Sequence, residues 1–207
     1  WHDDLTAPAG GQRVLHFTDL VNGRTTPYDD YGHGTHVAGI IAGNGFDSDG
    51  ARGGIAPGAA LMAIKAIDST GKGRISDVIA ALGHVRNQRT ALNIRIVNLS
   101  IATGVFESYD QDPLTLAARR LVEDGVVVVA AAGNLGRAPN GRTQYAGVTA
   151  PGNAPWVLTV GASSHNGTLA RDDDSIAGFS SRGPTAVDYT AKPDVVTPGV
   201  GIESLSD

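Results

Sequence analysis

Two histidines, an asparagine and a short extended segment are the parts of this chain whose types and spacing could do chemistry. His33 lies in Gly32-His33-Gly34-Thr35-His36-Val37-Ala38-Gly39, where a loop meets a helical pattern. A helix start disfavours imidazolium, which favours a neutral ring able to accept a proton. The same ring would serve equally well as a helix cap. Asn134 ends Val129-Ala130-Ala131-Ala132-Gly133-Asn134, an apolar run that stops at a turn. A carboxamide there can donate to an oxyanion, and Gly133 lets a substrate backbone approach. A turn asparagine chosen for local geometry has the same sequence. Ser100-Ile101-Ala102-Thr103 leaves a strand in extended form and could pair with a peptide, main chain to main chain, or be an ordinary strand exit.

Other chemistries find little support. The chain has no cysteine, which removes disulfides, thiolate metal sites and cysteine nucleophiles together. His33 and His36 stand three apart with no glutamate between them, unlike a zincin helix, so zinc hydrolysis is the weakest reading. No G-x-G-x-x-G or Walker loop occurs. Gly178-Phe179-Ser180-Ser181-Arg182-Gly183 does not have nucleophile-elbow spacing. Asp29-Asp30, Asp47/Asp49 and Asp172-Asp173-Asp174 could bind calcium, although such groups are more often solvated loop charge. A net charge of −5 offers no basic stripe for nucleic acid. No apolar run is long enough for a membrane span.

The elements that must position these residues alternate between short β-branched runs and helical patterns, which predicts a parallel α/β sheet. At 207 residues with 41% hydrophobic and 18% charged residues, one globular domain is expected. Strands are predicted at 13–17, 61–67, 94–100, 126–132 and 156–162, the fourth covered on both faces. Helices are predicted at 34–43, with an apolar face of Val37, Ile40 and Ile41, and from an N-cap at Ser76, buried through Val78, Ile79, Leu82 and Val85. A third opens with Asp112-Pro113, buries Leu114, Ala117, Ala118 and Leu121, and stops at Gly125. The stretches 43–58 and 135–146 read as loops.

Taken in order, these segments resemble the subtilisin-like serine protease family. Asp30 to Gly39 looks like its histidine motif, and Ile96-Val97-Asn98-Leu99-Ser100 like the strand leading into substrate binding. The run from Val127 to Asn134 resembles the strand that ends in the oxyanion asparagine. Phe179 to Pro184 and Lys192 to Gly199 resemble two later segments, so the likeness covers nearly the whole chain. The resemblance implies a subtilisin-like three-layer α/β fold, with a mainly parallel sheet flanked by helices and incomplete at both ends. It implies hydrolysis of polypeptides in which His33 takes a proton from a serine and Asn134 stabilises the oxyanion, a contact contributing ~3 kcal/mol. Ser100, Ile101 and Ala102 would hold the substrate strand. Ala131, Ala132 and Gly133 would line the pocket for the residue before the cut. By similarity, Ala150-Pro151 is expected to be cis.

The chain also departs from the family. Ala102 and Thr103 stand where many relatives have glycines, which reshapes the pocket entrance. The loop 44–54 does not match the short calcium loop of well-known subtilisins. The family's aspartate motif would precede Trp1, and its Gly-Thr-Ser-Met-Ala motif would follow Asp207; neither occurs in the chain. With no initiator methionine, the chain reads as a trimmed piece, expected to be inactive alone and held by the rest of its domain or by self-association. A non-catalytic peptide-binding module is the alternative. Family habit points to secretion, with intracellular members known.

Overall fold

The computed structural model describes residues 2–206, and the chain divides into two compact units, residues 1–81 with 203–207, and residues 82–202. In the first unit β1 (Val14–Asp19) and β2 (Leu61–Lys65) pair in parallel. Helix α1 (His33–Ala42) follows the loop after β1. The face that α1 buries is Gly39 and Ala42, whereas Ile40 is exposed and Val37 and Ile41 are half-buried, unlike the expected apolar face. Small residues win because Ser204 and Leu205 pack directly on the helix. A Cβ at Gly39 would stand 2.5 Å from Leu205 Cγ, and Ser204 Oγ donates to the carbonyl of His36 at 2.7 Å.

The buried Arg13 fastens the carboxyl end of α1. Its guanidinium donates to four main-chain oxygens, those of Asp4, Thr6, Ala42 and Ala59, at 2.5–3.1 Å. A charge that cannot reach water is thereby satisfied by carbonyl dipoles, including one that the helix end leaves unbonded. Helix α2 (Ile75–Gln88) buries Val78, Leu82 and Val85 as expected, while Ile79 is only half-buried. It starts one residue before Ser76, so that serine is not its cap; the amides of Asp77 and Val78 bond to the Arg74 carbonyl, and the Ser76 hydroxyl turns to Asp77.

The second unit is built on a five-stranded sheet. Parallel strands β3 (Ile96–Leu99), β4 (Val127–Ala131) and β5 (Leu158–Ser164) lie side by side. At the far edge β5 also pairs with antiparallel β6 (Ser175–Ile176) and parallel β7 (Val195–Pro198). Helix α3 (Pro113–Glu123) lies between β3 and β4 in sequence. Asp112 caps it, accepting from the amides of Leu114 and Thr115, and Leu114, Ala117, Ala118 and Leu121 are all buried. Gly125 ends it with φ +84°. Trp156 packs against α3 by donating Nε1–H to the Thr115 carbonyl and lying under Arg119.

Strand β4 is not covered on both faces among the described residues: Val128 and Ala130 are buried, while Val127 is 50% exposed. Ile96 and Leu158 are exposed as well, so one side of this sheet presents aliphatic residues to solvent. The Ala150-Pro151 peptide is cis, as expected, and so are Gly183-Pro184 and Lys192-Pro193.

Candidate active site

In the first unit, carboxylates organise the approach to His33, the first residue of α1. Asp19, at the end of β1, accepts from the amides of Val21 and Asn22 with one oxygen and from the Arg24 amide and the Tyr28 hydroxyl with the other, at 2.8–3.1 Å. Burial alone would raise its pKa, but these donors outweigh it and hold the carboxyl at about 2. Asp29 then sets the helix start. It accepts from the amides of Tyr31, Gly32 and Thr35 and from the Thr35 hydroxyl, at 2.8–3.1 Å. Burial opposes its ionisation, yet the four donors keep its pKa below the ordinary carboxylate value. Asp30 is tied to β2 by the Lys65 ammonium at 2.5 Å. His33 is half-buried on this frame, with Gly32 at φ +86° supplying the turn before it.

In the second unit the ends of β3 and β4 stand side by side, with Leu99 opposite Ala130. Ser100 to Ala102 and Ala131 to Gly133 thus continue from the ends of adjacent parallel strands. A strap joins the two segments: the Thr149 amide donates to the Ala132 carbonyl, and Ala150 exchanges two hydrogen bonds of 3.0 Å with Thr103. The Ser100 hydroxyl accepts from the Asn98 amide group at 2.8 Å. Ala132 is buried, Ile101 half-buried and Ala102 exposed.

The turn after β4 is held from both sides. The Ser181 amide donates to the Gly133 carbonyl, and the Ser181 hydroxyl accepts from the Leu135 amide, each at 3.0 Å. Gly133 has φ +99°, and a Cβ there would meet Thr149 Oγ1 at 2.6 Å, so only glycine fits. Asn134 between them is exposed, and its carboxamide makes no hydrogen bond among the described residues. A carboxamide on a fixed backbone turn, open to solvent, is able to donate to an oxyanion. His33 belongs to the first unit; Asn134 and all six predicted substrate-strand and pocket residues belong to the second.

The sequence reading did not find the supports. Thr149, Ala150 and Ser181 act through long-range main-chain contacts; Ala150 and Ser181 lie in segments that resemble the family's, and Thr149 carries no sequence signal. Of the acidic groups, Asp29 and Asp30 are engaged as described. Asp47 forms a group with His2 and Asp4, with one ligand atom from each all within 4.8 Å of one another. Asp4 is the buried member and accepts from the Asp47 amide.

These features define an open, mainly parallel α/β protein whose functional loops leave the carboxyl ends of its strands. The chain belongs to the subtilase family, whose defining pattern matches residues 11–206. It is 39% identical to serine protease AprX of Bacillus subtilis (strain 168) over 99% of this chain and 45% of that protein. To subtilisin E of the same organism it is 34% identical over 98% of this chain and 44% of that protein. The chain thus spans less than half the length of these curated relatives. Among solved structures it superposes on S41 psychrophilic protease with a TM-score of 0.73 at 33% identity, covering 91% of this chain and 60% of that one. The CspB protease of Clostridium perfringens gives a TM-score of 0.81 over all of this chain and 75% of that one; at 17% identity this is a likeness of fold.

Proposed function

We propose that this chain forms the His33 and Asn134 part of a serine endopeptidase domain. Its support is the Asn134 turn, whose backbone is held on both flanks by Ser181 and whose carboxamide is exposed, beside the segment that leaves β3 with Ala102 exposed. A polypeptide laid along Ser100 to Ala102 would seat the residue before the cut against Ala131, Ala132 and Gly133. His33 would accept the proton of the attacking serine and return it to the departing amine, while Asn134 donates to the carbonyl oxygen as it gains charge. The reading assigns the serine and the orienting aspartate to other parts of the full-length protein, and the chain alone is then inactive. Calcium, if used, would find its oxygen ligands at Asp4 and Asp47, the nitrogen of His2 being the less suited donor. Secretion is proposed with the activity, in keeping with the name of a relative, minor extracellular protease Epr, 36% identical over 82% of this chain.

The test is cleavage of a denatured protein by the full-length gene product. Removing one oxyanion donor in a subtilisin lowers kcat about 10²–10³-fold, and Asn134→Ala is expected to do the same with little change in KM. His33→Ala should lower kcat by at least about 10⁴-fold. Peptide binding without cleavage by the unmodified protein would replace this reading with the non-catalytic module.

A further inference from the structure

A groove of about 590 Å³ opens in the second unit, on the β5–β6 side of the sheet, and two arginines line it. Arg137 lies across Gly178, where a Cβ would stand 2.6 Å from Nε and 2.8 Å from Nη2. The absence of a side chain at 178 is what gives the guanidinium its seat. Arg137 donates from Nη1 to the Gly141 carbonyl, and Arg182 from Nη1 to the Gly136 carbonyl, each at 3.2 Å. Neither makes an ion pair among the described residues, and no acidic residue lines the groove. Ser164 and Thr143 add hydroxyls to the lining, and Phe179 adds an apolar wall. Two held guanidiniums without a carboxylate, in a chain of net charge −5, make a site for an anionic group.

Its place in the sheet says which anion. The strand order is β3, β4, β5, β6. The substrate segment Ser100 to Ala102 leaves β3, the oxyanion turn leaves β4, and the groove stands at β5 and β6. Backbone also runs directly from one to the next, since Leu135, Gly136 and Arg137 follow Asn134 and the Gly136 amide donates to the Phe179 carbonyl. A polypeptide whose residues before the cut lie at β3 and β4 therefore continues past Asn134 toward the arginines. We infer that Arg137 and Arg182 form a subsite for an aspartate or glutamate side chain shortly after the scissile bond. This inference rests on the protease reading and narrows its substrates to polypeptides acidic on the leaving-group side.

Internally quenched peptides with amidated ends test it on the full-length protein. They share all residues before the cut and carry Glu, Gln or Lys at the first or second position after it. The Glu peptide is expected to exceed Gln in kcat/KM by about fivefold at low ionic strength and to lose that lead near 1 M salt. Arg137→Glu, at an exposed position whose side chain bonds only one loop carbonyl, should invert the order in favour of Lys, and Arg137→Lys should keep it. Arg182→Gln, which can still donate to Gly136, should shrink the lead. Equal kcat/KM for the three peptides, with cleavage intact, would overturn the subsite and leave the protease reading standing. If no peptide is cleaved, fluorescence anisotropy on the same set decides. Tighter binding of the Glu peptide, lost in Arg137→Glu, supports the subsite without the activity; equal binding overturns it.

Discussion

Asp19 shows how much of this site's geometry is carried by residues that do no chemistry. Its two oxygens collect four donors from the loop that leads toward His33. The folded state holds the group at about 2, against an ordinary 3.8, so it binds fewer protons than the unfolded chain between those values. Its stabilisation is present in full above about pH 4 and fades as the pH falls toward 2. Asp19→Asn keeps the shape but replaces one accepting oxygen with an NH2 group that cannot accept, and is expected to cost about 1–2 kcal/mol at neutral pH. Urea unfolding of the two forms at several pH values should show the gap closing as the pH falls from 4 to 2; a gap that stays constant would contradict this role. Asp29 works in the same way one step closer to the helix. In sequence Asp29 reads as a candidate calcium ligand and Asp19 carries no signal, because composition reveals a carboxylate but not the amides that will fold around it.

Among the elements, those legible in sequence were the ones whose signal is local. The capping aspartate and proline before α3, its four buried apolar residues and the glycine after it all stand where the pattern put them. The cores of β1 to β4 likewise fell within their apolar runs. What failed depended on partners far along the chain. Trp156 reads as the start of a strand by its aromatic side chain, yet it is drawn out of β5 by its bond to Thr115. β6 is two residues long, and β7 lies between prolines, so neither carries an alternating pattern; both exist through pairing with β5. β7 is secured by a buried ammonium: Lys192 Nζ donates to the Val157 carbonyl and to Asp194, which also accepts from the Thr159 amide. Burial opposes ionisation of Asp194, and the Lys192 and Thr159 donors outweigh it, so its pKa is lowered. Asp194→Ala would leave Lys192, whose side chain is 2% exposed, without its counter-charge. A loss of about 3–5 kcal/mol is expected in urea unfolding. A loss below 1 kcal/mol would mean that the pair does not hold the strand.

For the molecule as a whole, the family was legible because its motifs are short, ordered and spread along the entire chain. Their physical meaning, a turn that cannot tolerate a Cβ and a helix opened by a carboxylate, required coordinates. The apolar run of β4 in the second unit's sheet reads in sequence as a strand covered on both faces. Ile96, Val127 and Leu158 face solvent there, 64%, 50% and 41% exposed. An apolar sheet face of this kind binds whatever apolar surface is offered. The isolated 207-residue chain is therefore expected to bind a hydrophobic dye or to sediment as more than a monomer, and Val127→Lys should reduce either behaviour. A monomer that leaves the dye dark would show that this face needs no cover.

Ser181 has a further consequence. One residue grips the backbone on both flanks of Asn134, and its neighbour Arg182 reaches the Gly136 carbonyl from the wall of the arginine groove. Tension applied at that wall is thus passed along a few bonds to the amide proposed to meet the oxyanion. On that proposal, an acidic residue seated in the groove would stiffen the turn at the moment charge develops, so its benefit should be felt in turnover as well as in affinity.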